Sequence, residues 1–149
     1  MLDAAKRDSG IIVTGAVPDV RPYLAAASVM VVPLLQGGGT RFKILEAFAA
    51  LCPVVSTAKG AEGLRVRDGE HLLIRDSVEE IIGGVCHLWS EPSLGEKLAH
   101  AAYELVQAIG EKLSLCAICQ GVIEKKLGTT SLPVRKRGYN QLNCRFSLC

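Results

Sequence analysis

The sequence predicts an α/β domain: a parallel sheet with helices on both of its faces. Two observations carry that expectation. First, "GIIVTG" (10–15), "SVMVVPLL" (28–35) and "PVVST" (53–57) are apolar throughout instead of alternating with polar residues, as in strands buried on both sides. Second, helix-forming segments separate these runs and the connections are short, the alternation that produces strand–helix–strand units. In such a sheet the ligand site lies where the carboxyl ends of the strands open into the loops leading to helices.

Taken in order, GIIVTG is a β-branched run stopped by glycine and reads as a buried strand. "DVRPYLAAA" (19–27) reads as a helix with Asp19 as N-cap and Pro22 in the first turn, where proline is tolerated. SVMVVPLL is a strand closed by Pro33, a helix follows from Thr40 to Leu51, and PVVST is the third strand. "KGAEGLRVRDGEHLLI" (59–74) reads as a loop, a turn at Asp68-Gly69 and a short strand. Ser77 and Glu80 have capping-box spacing and open a helix towards Trp89. Pro92 starts another, "SLGEKLAHAAYELVQAIGEKL". Gly83 and Gly84 fall inside the first of these helices at a cost of about 1 kcal/mol each. Close packing is the one account the sequence offers for them.

Composition narrows the function. With 149 residues, 49% hydrophobic and 21% charged, the chain suits one globular domain with a real core. A net charge of +2 argues against nucleic acid as a partner, and 5% aromatics leaves little to stack on bases. No apolar run approaches the roughly 18–20 residues that span a bilayer. "MLDAAKRDSG" lacks the apolar core of a secretory signal, so the expectation is a cytoplasmic protein. Cys52 and Cys86 sit in apolar segments and read as reduced thiols.

One stretch poses an electrostatic problem. "LLQGGGTRFKILEAFAA" (34–50) runs from three glycines into a helix whose first turn carries Arg41 and Lys43. The positive end of a helix dipole disfavours cations, by about 0.3–1 kcal/mol each. A phosphate or diphosphate there would offset that cost and use the unpaired N–H groups of the helix start, which glycines let a ligand approach closely. The candidate diphosphate-binding residues are therefore Gly37, Gly38, Gly39, Thr40, Arg41 and Lys43. The plain alternative is a tight glycine turn, with both cations in water and Lys43 paired to Glu46. The Gly-Lys-Ser/Thr ending of a P-loop and the third glycine of a dinucleotide fingerprint are both absent.

The stretch "VTGAVPDVRPYLAAASVMVVPLLQGGGTRFKILEAFAALCPVVSTAKGAEGL" resembles the donor-binding half of a family 4 glycosyltransferase. These are retaining enzymes of the GT-B architecture, built from two Rossmann-like domains. The likeness is greatest to bacterial sugar transferases of exopolysaccharide synthesis and PEP-CTERM-associated gene clusters, and runs from Gly10 to Leu113. It implies that Glu46 binds the donor ribose and that the glycine loop and helix start cradle the diphosphate. It also implies that Ala16 and Val17 lie on the nucleobase side; Glu62 of "GAEGL", in a loop after a strand end, is by its position a candidate donor-loop contact. It names no catalytic residue here. The donor substrate is a nucleotide diphosphate sugar, with no cofactor and no metal, because the helix end and basic residues neutralise the diphosphate.

Departures from the family pattern are equally informative. Counting back from Glu46, the first of the family's paired glutamates falls on Gly38. Leu51 and Cys52 stand where a glycine would end the helix. The acceptor-binding domain and the donor domain's own first strand have no counterpart in the sequence, so the expectation is a truncated donor domain over 1–127, inactive by itself. The partners implied are a nucleotide sugar and that missing N-terminal domain, with room for peripheral membrane association of the full enzyme. The rival readings are a non-catalytic nucleotide-binding module and an inactive fragment.

The remaining motifs are weaker. His71, His87 and His100 have no matching acids or cysteines at metal spacing. Cys116, Cys119, Cys144 and Cys149 are unevenly spaced for zinc, and "LSLCAICQGVIEKK" reads as an amphipathic helix instead. Residues 128–149 form a basic, cysteine-containing tail that matches no known pattern.

Overall fold

A computed structural model describes residues 7–37, 41–113 and 147–148. Its elements are α1 (Arg21–Ala26), β1 (Met30–Val32), α2 (Phe42–Ala49), β2 (Val54–Ser56), α3 (Ala58–Ala61), β3 (Leu73–Ile74), α4 (Val78–Ser90), α5 (Pro92–Leu113) and β4 (Ser147–Leu148). The sheet is parallel throughout, in the order β3-β2-β1-β4. Met30 pairs with Val54, and Val31 with Val55, which pairs in turn with Leu73.

Because side chains alternate along a strand, this register sends successive residues to opposite faces. Met30 and Val54 join one apolar cluster with Leu24 of α1, Ile44 and Phe48 of α2, and Ala102 and Val106 of α5. Val31, Val55 and Leu73 join a second with Val85 and Leu88 of α4 and Leu98 of α5. Both faces are covered, and the Rossmann-like α/β class read from continuous apolar strands holds.

GIIVTG departs from its expectation. Ile11–Thr14 forms no strand among the described residues, and Ile12 and Val13 are 67% and 48% exposed. A strand needs a neighbouring strand for its amides, and the run does not join the four strands of this sheet. The cap of α1 also shifts by a residue. Val20 holds the N-cap position without a side-chain bond, while Asp19 accepts from the Arg21 amide (2.9 Å) and pairs with its guanidinium.

The α2 terminus answers the missing glycine. Leu51 takes it up with φ +53°, the Cys52 amide donates to Ala47 O (2.9 Å), and the Leu51 amide donates to Phe48 O (3.0 Å). This is the Schellman closure with leucine in the left-handed position that glycine usually fills. α4 opens with the expected capping box: Ser77 Oγ accepts from the Glu80 amide, and Glu80 from the Ser77 amide. Backbone donors at Ser77 and Asp76 hold the Glu80 carboxyl below the usual range. Of the two glycines in α4, Gly84 is explained by packing, since a Cβ there would lie 3.4 Å from Val55. Gly83 faces open space.

The segment after β2, expected to be a loop, contains the single-turn helix α3. Thr57 caps it by accepting from the Gly60 amide (2.9 Å). Of the tail, Ser147 and Leu148 pair in parallel with Met30 and Val31 as β4. The cysteines considered for zinc, and the segment read as an amphipathic helix beyond Leu113, lie outside the described residues.

Candidate functional site

The carboxyl ends of β1 and β2 are laced together before they open into loops. The Thr57 amide donates to Val32 O (3.2 Å), and Ser56 Oγ to Val32 O (3.3 Å) and Thr57 O (3.0 Å). Thr57 Oγ1 donates to Leu34 O (2.5 Å), which fixes the start of the glycine loop to the cap of α3. Gly60 is required in this lacing. A Cβ there would run into Ser56 Oγ and lie 3.0 Å from Val32 O.

Arg41 sits at the N-cap of α2 without capping it through its side chain, and the first turn holds no acid. Its side chain, only 9% exposed, reaches across to α3. There Nη2 donates to Lys59 O (2.8 Å) and lies 3.3 Å from Glu62 Oε2. The same Glu62 oxygen accepts from Lys59 Nζ at 2.7 Å. One carboxylate oxygen thus serves two cations that come from different strand ends. Lys59, with Arg41 adding to it, holds the Glu62 carboxyl below its ordinary range. The electrostatic question raised by the sequence has an internal answer: the Arg41 charge at the helix start is met by a carbonyl oxygen and a carboxylate from α3.

The other predicted residues are distributed around this centre. Lys43 is exposed and Glu46 half-buried, both on α2. Gly37 is exposed with φ +122°, a backbone conformation that glycine adopts without a Cβ penalty. Gly38, Gly39 and Thr40 lie outside the described residues. Ala16 is exposed and Val17 half-buried ahead of α1, and the bonds that join Arg41, Lys59 and Glu62 do not reach them.

Sequence reasoning missed Thr57, Lys59 and Gly60. The signals were present in "TAKGAEG": a threonine at N-cap spacing before Gly60, and Lys59 three residues ahead of Glu62. His71 is structural. Its Nδ1 accepts from the Arg67 amide (3.2 Å) in the turn before β3. Among the described residues no group of three or more His, Cys, Asp or Glu side chains is placed to hold a metal ion. Among them, too, no helix is long and apolar enough to cross a membrane.

At the carboxyl edge of the parallel strands, Arg41 at the start of α2 and Lys59 of α3 thus meet at the Glu62 carboxylate. The family model of group 1 glycosyl transferases matches residues 2–91, which is more than half of the chain. The chain belongs to that family. The matched span takes in every candidate site residue and ends at Glu91, where α4 gives way to α5. No curated protein matches the sequence.

Proposed function

We propose that this chain is the donor-binding domain of a retaining, family 4 glycosyltransferase that uses a nucleotide diphosphate sugar in polysaccharide or glycoconjugate synthesis. The observation that carries the reading is the convergence of Arg41 and Lys59 beside the start of α2, at the carboxyl ends of β1 and β2. The N–H groups of the helix start take the diphosphate oxygens, with Gly37, Gly38, Gly39 and Thr40 allowing close approach. Arg41, Lys43 and Lys59 supply positive charge. Glu46, just over one turn into α2, carries a charge that disfavours the phosphates and accepts from a ribose hydroxyl. Ala16 and Val17 flank the nucleobase.

In glycosyl transfer, charge develops on the departing diphosphate as the anomeric bond breaks. Fixed donors and cations at that oxygen lower the barrier most when water is excluded. The domain proposed here forms one wall of such a site, and an acceptor-binding domain forms the other. It is the wall that stabilises the leaving group, so donor affinity can be measured on this chain even where turnover requires the second domain.

The test uses the 149-residue chain. Calorimetric titration with uridine, guanosine and adenosine diphosphates, and with inorganic pyrophosphate, separates the two parts of the site. Glu46→Gln is expected to weaken the preferred nucleoside diphosphate about tenfold, the scale of one hydrogen bond to a charged group, and to leave pyrophosphate unchanged. Equal weakening of both ligands refutes the ribose role of Glu46. No binding of any of them refutes the donor site.

A further inference from the structure

Glu62 is the unusual member of the cluster, because an acid stands where the sequence reading places an anionic ligand. We propose that Glu62 is a displaceable internal counter-anion, which neutralises Arg41 and Lys59 in the empty site and yields its place to the donor diphosphate. The proposal rests on the donor-site reading above and adds a competitor to it.

Four features support displacement over a permanent tie. A single oxygen, Oε2, serves both cations, at 3.3 Å from Arg41 and 2.7 Å from Lys59, so one movement of the carboxylate releases both. The Glu62 side chain is 58% exposed and has water to move into. Its backbone marks the C-terminal end of α3, and the next residue, Gly63, has φ +84° with nothing within 4 Å of a Cβ built there. Finally, Arg41 keeps a second anchor. Its Nη2 also donates to Lys59 O at 2.8 Å, so the guanidinium stays at the helix start when the carboxylate leaves.

The consequence is a threshold for occupancy. An anion that enters must exceed a carboxylate already bonded to both cations, and a diphosphate, with more charge and more acceptor oxygens, can do so. While the site is empty, Glu62 keeps two cations and a helix start from repelling one another. Glu62 is on this account a positioning residue that acts against the ligand, so its removal should improve binding. A carboxylate that merely braces the loop would give the reverse result.

Inorganic pyrophosphate is the probe, titrated at low salt and neutral pH into the full chain, its Glu62→Gln variant and its Glu62→Asp variant, each first shown to unfold cooperatively. Glu62→Gln is expected to bind pyrophosphate on the order of fivefold tighter than the unaltered protein, the scale of removing a half-exposed carboxylate from its two ion pairs. Glu62→Asp keeps the charge but draws it back by one methylene, and is expected to fall between them. Binding by the unaltered protein that both variants match or weaken overturns this proposal and leaves the donor site standing. Absence of binding in all three overturns the donor site and this proposal with it.

Discussion

Replacing Gly60 by alanine tests the lacing that builds the site floor. An added Cβ would meet Ser56 Oγ, lie 3.0 Å from Val32 O and 3.2 Å from Thr57 Oγ1, at a position that is fully buried. The Ser56 hydroxyl, whose one proton is shared by Val32 O and Thr57 O, would have to turn away from both, a loss of about 1 kcal/mol. Val32 O cannot retreat, because it also accepts from the Thr57 amide and belongs to β1. Overpacking against it costs about 1–3 kcal/mol more. The better helix propensity of alanine in α3 returns about 1 kcal/mol. Gly60→Ala should therefore destabilise the domain by about 1–3 kcal/mol, and lower its Tm by roughly 5–10 °C. Ser56→Ala by itself should cost about 1 kcal/mol, and the double variant should be more stable than the two separate losses imply. Urea denaturation of the four proteins closes the cycle. Gly60→Ala as stable as the parent, or strictly additive losses, would refute the reasoning.

Other substitutions probe separate parts of the account. Gly83→Ala, on an exposed face of α4 with nothing within 4 Å of the new Cβ, should raise stability by about 0.5–1 kcal/mol in the same urea assay. Ser77→Ala removes the acceptor for the Glu80 amide and should cost about 1 kcal/mol. Arg41→Gln should weaken nucleoside diphosphate binding about tenfold by calorimetry, and also lower Tm, because the bond to Lys59 O is lost with the charge. Asp19, Glu62, Glu70 and Glu80 all have lowered carboxyl values in the folded chain. Their contribution is therefore complete above the ordinary carboxylate range, about pH 4, and is lost as pH falls through the lowered folded values. Tm followed from neutral pH downward should hold level and then decline only below that range.

The elements that sequence made legible are those set by local chemistry. β1 and β2 follow from uninterrupted apolar runs, and the start of α4 from the spacing of Ser77 and Glu80. Ile11–Thr14 has the same composition as those strands, but composition does not supply a hydrogen-bonding neighbour, and the run lies in solvent. α3 was hidden because Gly60 lowers helix propensity, while the close fit of that glycine against Ser56 and Val32 is a tertiary fact. Leu51 shows the same limit from the other side. The absent glycine suggested a weak helix end, and the chain closes α2 there with leucine at φ +53°.

The site was legible as a charge conflict and not as its resolution. Two cations at a helix start are visible in "TRFK". Which acid meets Arg41 is not, because Arg41 and Glu62 are 21 residues apart and are brought together by the parallel pairing of β1 with β2. The sequence marks Glu62 as a loop residue after a strand end but does not mark Lys59, the cation it holds most closely. The glycine loop stands out in the sequence as three glycines leading into a helix start, and the structure adds the φ of +122° at Gly37 and the Thr57 hydroxyl that holds Leu34 O.

The central claim is that a diphosphate binds at the amino end of α2. Backbone amide resonances of the isotopically labelled chain, followed during titration with uridine, guanosine and adenosine diphosphates, test it most directly. At least one of the three should saturate, with the largest shifts at the amides of Gly37, Arg41, Phe42 and Lys43. Shifts confined to other parts of the fold, or none with any of the three, would contradict the account.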